Sequence, residues 1–224
     1  MQGFTYSVDL VLCIDATGSM GPIIGRVKDS ALNFYEDLQQ IMEDKSKVVD
    51  SMRIRVIAFR DFYCDGDKSL EASTLFSLPA DREAFAAFVS GITADGGGDE
   101  PETGLEALAV AMSSPWTTTG AKRRQVIVVW TDASCHPLEK SDGAKPPNYP
   151  GQLPKSFDAL TDMWEGSGYM DPNAKRLILY APDAYAWTDM ANNWENVLHF
   201  PSRSGEGLSE VDYDAILDAI AQSI

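Results

Sequence analysis

Positive charge is scarce in this chain: 18 Lys and Arg face 34 Asp and Glu, a net charge of −16 over 224 residues. That balance argues against uniform nucleic-acid binding, because phosphate contacts need clustered Lys and Arg. The one dense basic run, Lys122-Arg123-Arg124, precedes an apolar segment and reads as solvation of a helix–strand connection. Cysteine is scarce too. Three residues with no Cys-x-x-Cys spacing do not make a disulfide framework. Cys13 lies within an apolar run and reads as a small buried hydrophobe, whereas Cys64 and Cys135 fall on loops at the same sheet end and could pair or react. There are only two histidines: His199 reads as a satisfied core residue, and His136 as a lone loop histidine. No Gly-x-Ser-x-Gly elbow is present, and the triple glycine at 96–98 lacks the Lys-Ser/Thr ending of a phosphate-binding loop. No apolar run approaches the roughly 20 residues that span a bilayer. The amino-terminal Met1-Gln2-Gly3-Phe4-Thr5 carries no basic segment of a signal peptide. A cytoplasmic location with no membrane segment is the expectation, for a chain that stands alone or is a fragment of a larger protein.

What is present points to a globular α/β domain. Hydrophobic residues make up 44% and aromatics 10% of the sequence, enough for one sizeable core. Leu10-Val11-Leu12-Cys13-Ile14 and Gln125-Val126-Ile127-Val128-Val129-Trp130 are apolar at nearly every position, as in parallel strands covered on both faces. Strands are also expected at 52–59, 177–180 and 197–200, with a short antiparallel edge strand at 74–78 before Pro79. One helix face is expected to carry Ile24, Val27, Ala31, Phe34, Tyr35, Leu38 and Ile41. A second carries Phe85, Phe88, Val89 and Ile92, and a third Leu105, Leu108, Ala109 and Met112. Phe157, Leu160 and Trp164 mark a helix after a long Pro/Gly/Lys-rich loop at 136–155, and the C-terminal helix is expected to bury Leu208, Val211, Ala215, Ala219 and Ile220. The five tryptophans read as core. The alternation predicts a doubly wound, mostly parallel six-stranded sheet with one short antiparallel edge strand and helices on both faces, as a single domain over 1–224.

The chemistry lies at strand ends. The first apolar run ends in Asp15-Ala16-Thr17-Gly18-Ser19-Met20, where a tight turn can aim the oxygens of Asp15, Thr17 and Ser19 at one point. The second ends in Thr131-Asp132-Ala133-Ser134, and a glycine-rich loop, Gly96-Gly97-Gly98-Asp99-Glu100-Pro101-Glu102-Thr103, leads into a helix. An open α/β sheet binds ligands just outside its strand C-termini. Hard oxygen donors without nitrogen or sulfur suit Mg²⁺ or Ca²⁺ better than zinc. Clustered carboxylates repel one another unless a cation sits among them.

On these residues the chain resembles a von Willebrand factor type A domain over essentially its whole length. Asp15, Thr17 and Ser19 match the first part of that family's metal-ion-dependent adhesion site, Asp-x-[Ser/Thr]-x-Ser, and Asp132 matches its last part. Asp-x-Thr-Gly-Ser-Met with Gly-Gly-Gly-Asp-x-Pro-Glu is similar to hemicentin-like and alpha-kinase-associated members. The middle ligand has two forms in the family, a threonine opening the helix, which would be Thr103, and the glutamate of integrin β I-like domains, which would be Glu102. Asp99-Glu100-Pro101-Glu102 matches the second, so the resemblance implies Glu102 with Thr103 in reserve. The integrin resemblance also implies a second cation held by Asp61, Asp99, the Pro101 carbonyl and Glu102, although Gly97 stands where an integrin asparagine helps. A third site is not expected, because Pro22 and Ile23 replace its acidic residues.

The resemblance implies a non-enzymatic module that binds Mg²⁺, Ca²⁺ or Mn²⁺ and recognises a partner protein through an Asp or Glu carboxylate. Asp65, Asp95, Glu100 and His136 would stand on its rim. A metal-free scaffold role is the rival. A phosphatase reading, with Asp15 as nucleophile, lacks the acid two positions on, where Thr17 stands.

Overall fold

The apolar run at 10–14 becomes the centre of strand β1 (Thr5–Asp15) in the computed structural model, which describes residues 5–30, 33–98, 100–120, 122–205 and 212–224. Strands β2 (Val48–Phe59) and β5 (Arg123–Trp130) flank β1 in parallel. Beyond β5 lie β6 (Lys175–Pro182) and β7 (Val197–Ser202), also parallel. Two short antiparallel strands, β3 (Leu70–Ala72) and β4 (Phe76–Leu78), share the outer edge of β2. The order is β3-β2-β1-β5-β6-β7 with β4 also on β2. This is the expected doubly wound, mostly parallel sheet, its antiparallel edge divided in two so that seven strands are counted. The division falls at Ser73, where the side-chain hydroxyl takes the Val56 N–H at 3.0 Å in place of a ladder bond.

Alternate residues of each central strand face opposite layers. Leu10, Leu12 and Ile14 pack beneath α1 (Gly21–Ser30), α2 (Phe34–Asp44), α3 (Arg82–Gly91) and α7 (Tyr213–Ser223). Val11 and Cys13 pack against α4 (Gly104–Met112), α5 (Phe157–Glu165) and α6 (Trp187–Asn193). All five tryptophans are buried.

The single helix expected across 24–41 is two, with Asn33 at the start of α2; Ala31 lies outside the described residues. Of the side chains expected to be buried by the C-terminal helix, Ala219 and Ile220 are, Ala215 faces solvent, and Leu208 and Val211 lie outside the described residues. Ile216 and Leu217 take the inward positions one turn before Ala219 and Ile220, in place of Ala215. His199 sits on edge strand β7, half-buried, with Nε2 2.9 Å from the Ala181 carbonyl. All three cysteines are free thiols, with Cys64 exposed and Cys135 buried. Among the described residues, no helix is long and apolar enough to cross a membrane.

Candidate metal-ion site

β1 and β5 run parallel, so Asp15 at the end of one and Asp132 just past the other emerge on the same side of the sheet. The Asp15 carboxylate is fully buried. Its Oδ1 accepts the Thr17 N–H at 3.0 Å and the Thr17 hydroxyl at 2.7 Å. Its Oδ2 accepts the Thr131 hydroxyl at 2.6 Å. Burial pushes its pKa up to about 6; the Thr131 and Thr17 hydrogen bonds oppose that shift and the Asp132 charge adds to it. Ser19 is exposed, and its hydroxyl donates to Asp132 Oδ1 at 3.0 Å. That bond joins the first and last segments of the motif across 113 residues.

The middle loop reaches the same point because glycine lets it. Gly97 has φ +71°, and a Cβ there would stand 2.7 Å from Thr17 Cγ2 and 2.8 Å from Glu102 Oε1. A side chain at this position would push apart the two segments that meet. Glu102 is fixed by its backbone: its N–H donates to the Ser134 carbonyl and its carbonyl accepts the His136 N–H, both at 2.9 Å. The side chain is only 4% exposed, and its Oε2 has no hydrogen-bond partner. Burial pushes its pKa from the ordinary 4.5 to about 9, reinforced by Asp15, Asp61, Asp65 and Asp132. Thr103 is differently engaged. Its hydroxyl donates to the Arg60 carbonyl and accepts the Phe62 N–H at 3.2 Å.

An open cleft of about 310 Å³ lies over this group, lined among others by Thr17, Ser19, Gly97, Glu100, Glu102 and Asp132. Among the described residues, no three His, Cys, Asp or Glu side chains group closely enough to hold an ion by themselves.

The other expected residues divide. Asp61 is buried, with Oδ1 accepting the Tyr63 N–H at 2.9 Å and lying 3.2 Å from His136 Nε2. Asp65 accepts the N–H groups of Asp61 at 3.0 Å and Gly97 at 3.1 Å, clasping the glycine loop. Glu100 accepts the Ser134 N–H at 2.7 Å at the cleft wall. Asp95 turns elsewhere, toward Thr93, Lys68 and Arg60, and its carboxyl is held low by the Thr93 hydrogen bond and those cations. Pro101 follows a cis peptide bond, and Asp99 lies outside the described residues.

Sequence reasoning missed two supports. Arg60, 1% exposed, donates to carbonyls of three loops: Ala16 at 3.2 Å, Lys68 at 2.6 Å, and Thr93 and Asp95 at 2.7 and 3.0 Å. The available signal was an arginine running on from an apolar strand without a turn residue between. The second support straps the 136–155 loop. Lys140 pairs with buried Glu106 of α4, and Tyr149 donates to the same Glu106 oxygen at 2.9 Å. Phe62 and Tyr149 rings lie 5.3 Å apart, and Asn148 donates to the Gly66 carbonyl and to Ser69 Oγ.

A family described as von Willebrand factor A domain matches residues 9–144, a stretch that runs from β1 past Asp132. This chain belongs to the von Willebrand factor A domain family. It is 30% identical over 159 residues to an alpha-protein kinase, vwkA, of Dictyostelium discoideum, covering 70% of this chain and 23% of that protein. It is also 30% identical over 131 residues to a putative ariadne-like RING finger protein, R811, of Acanthamoeba polyphaga mimivirus, covering 58% of this chain and 11% of that one. The chain thus spans under a quarter of each relative. Among solved structures it resembles the pilus adhesin SpaC of Lactobacillus rhamnosus GG, with a TM-score of 0.56 at 14% identity over 96% of this chain and 30% of that one. That likeness shows the fold. This von Willebrand factor A domain shares its doubly wound sheet with an adhesin and part of its sequence with two much longer proteins.

Proposed function

We propose that the 224 residues form one protein-binding module that takes a hard divalent cation, Mg²⁺, Ca²⁺ or Mn²⁺, in this cleft and recognises a partner carboxylate there. The observation that carries the reading is Glu102. A carboxylate with one buried oxygen lacking any partner, pressed by four other acids, is a poor structural element unless a cation neutralises it. The donor set fits such an ion: Asp15, Thr17, Ser19, Glu102 and Asp132 offer only oxygen. Thr103 is set aside in favour of Glu102, because its hydroxyl is engaged by Arg60 and Phe62. Asp61 and the Pro101 carbonyl stand as donors of a second site, beside Asp65 and His136 on the rim.

The residues divide the work. Asp15 is oriented by Thr17 and Thr131, Asp132 by Ser19, and the glycine loop by Asp65. A bound cation supplies positive charge for an incoming anion, and neutral hydroxyl ligands leave more of that charge unquenched than carboxylates would. The mechanism requires no proton transfer and no nucleophile, so the module is a binder and not an enzyme. The kinase and the RING finger protein are named for whole proteins of which this chain spans 23% and 11%.

The test is thermal unfolding of chelator-treated protein with each cation titrated in. Saturation at about 100 times the dissociation constant should add roughly 2.7 kcal/mol, and Asp15→Asn should lose the shift. No shift with any cation in the wild-type protein would sink the metal reading and leave a metal-free scaffold.

A further inference from the structure

At the end of the sheet away from the cleft, four neighbouring strands begin with a cation or an aromatic. Lys47 directly precedes β2, Tyr6 stands near the start of β1, and Arg124 and Arg176 stand near the starts of β5 and β6. Tyr6 packs against the core layer beneath α1, α2 and α7. The registers Val8–Arg124 and Val126–Arg176 put both arginines on that same face. Lys122 Nζ lies 5.3 Å and the Arg124 guanidinium 5.4 Å from the Tyr6 ring centre. Beside them is a hollow of about 260 Å³ lined by Lys122, Arg123, Arg124, Asp171, Asn173 and Ala174.

Several cations away from this patch meet a carboxylate, Arg53 on Asp9, Arg82 on Glu36 and Lys140 on Glu106, whereas Arg55 meets the Ser73 carbonyl and the Ser114 hydroxyl. Here, among the described residues, no carboxylate pairs with Lys47, Arg124 or Arg176. Their hydrogen bonds go to the carbonyls of Ala221, Arg123 and Lys175 at 2.9, 2.8 and 2.6 Å. Burial and the charge of Arg124 together hold both Lys47 and Arg176 below their ordinary pKa. In a chain with nearly twice as many acids as bases, three cations left together without a counter-charge are conspicuous. Lys47 and Arg176 both border the carbonyl end of α7, Lys47 through the Ala221 carbonyl and Arg176 in a hollow it shares with Gln222 and Ser223, and neither meets a carboxylate there.

We infer that this base of the sheet docks a short acidic peptide segment of a partner protein, its carboxylates meeting Lys47, Arg124 and Arg176. The surface is separate from the cleft. The eight residues of β5 span roughly 26 Å, about three Debye lengths at physiological salt, so the carboxylates of the cleft do not cancel the local potential. A short segment fits better than an extended polyanion. A nucleic acid or a lipid surface laid over the patch would also meet exposed Glu43, Asp44 and Asp50, which flank Lys47 in sequence.

Fluorescence anisotropy of a labelled hexaglutamate peptide tests this, with the protein kept in chelator so that no cation bridges the peptide to the cleft. We expect binding that weakens about tenfold between roughly 20 and 200 mM NaCl. We expect Arg124→Gln/Arg176→Gln to abolish it while leaving the melting temperature unchanged. Absence of binding in chelator, binding that needs Mg²⁺, or binding indifferent to the double substitution overturns the inference. So does tighter binding to phosphatidylserine vesicles with the same sensitivity, which would make the patch a lipid contact.

Discussion

Replacing Glu102 by glutamine removes the ionisable group while keeping the shape of the side chain, so it isolates the electrostatic cost of an empty site. The carboxyl is raised from 4.5 to about 9. Between those values the folded protein holds a proton that the unfolded chain has released. Raising the pH therefore erodes the stability of the metal-free protein from about 4.5 upward and stops eroding it near 9. At about pH 7 the gap is roughly 2.5 pH units, or about 3.5 kcal/mol at about 1.4 kcal/mol per unit. Because the side chain opens on the cleft, water screens part of this, and a working figure is about 1.5 kcal/mol. Glu102→Gln should accordingly raise the melting temperature in chelator by roughly 3–6 °C at neutral pH. The assay is denaturant and thermal unfolding in chelator from about pH 4.5 to 8.5, with the two curves meeting at the acidic end. Saturating Mg²⁺ should reverse the order, stabilising the wild type and not the variant. A variant less stable than wild type at neutral pH in chelator, or a gap that does not change with pH, would refute the reasoning.

Asp15→Ala should abolish any metal-induced melting shift, but it should also destabilise the metal-free fold by about 1–3 kcal/mol, because it orphans the Thr17 N–H and the Thr131 hydroxyl; denaturant unfolding reads this directly. Arg60→Lys should cost about 2–4 kcal/mol in the same measurement, since one ammonium cannot serve carbonyls on three loops, and metal titration should show weaker binding as those loops separate. Gly97→Ala should weaken cation binding at least tenfold by calorimetry, since its Cβ would stand within 2.8 Å of Glu102 Oε1 in a backbone region costing about 1 kcal/mol for alanine.

The strands and the two strand-end segments were legible because their signals are contiguous. An apolar run followed at once by Asp15, Thr17 and Ser19 needs no knowledge of distant partners, and neither does Asp132 after 125–130. Glu102 was preferred to the adjacent Thr103 on the Asp-Glu-Pro-Glu form alone; the engagement of the Thr103 hydroxyl by the Arg60 carbonyl and the Phe62 N–H, which agrees with that preference, has no sequence signature. Arg60 showed only as an arginine running on from an apolar strand, and its role was not legible because most of its partners are main-chain carbonyls, which carry no sequence signature. The apolar spacing runs on through Phe34 and Tyr35, so nothing in the pattern separated α1 from α2. In α7 Ala219 and Ile220 were placed correctly, but one turn earlier Ala215 was put inside instead of Ile216 and Leu217. Cys64 and Cys135 share a sheet end, yet one faces solvent and the other the core, a difference of burial that spacing does not encode.

The strap over the 136–155 loop bears on the kinetics of recognition. A loop of that length normally brings to binding the entropy of many conformations, and each immobilised side chain then costs about 0.5–1.5 kcal/mol. Here Lys140 and Tyr149 are anchored on a buried glutamate and Asn148 on the neighbouring loop, so much of that ordering is complete before any partner arrives. On the proposed reading, a partner approaching the cleft would find this neighbouring loop already ordered. Encounter should then depend on diffusion and charge steering, and the ordering that remains falls on the partner's own segment.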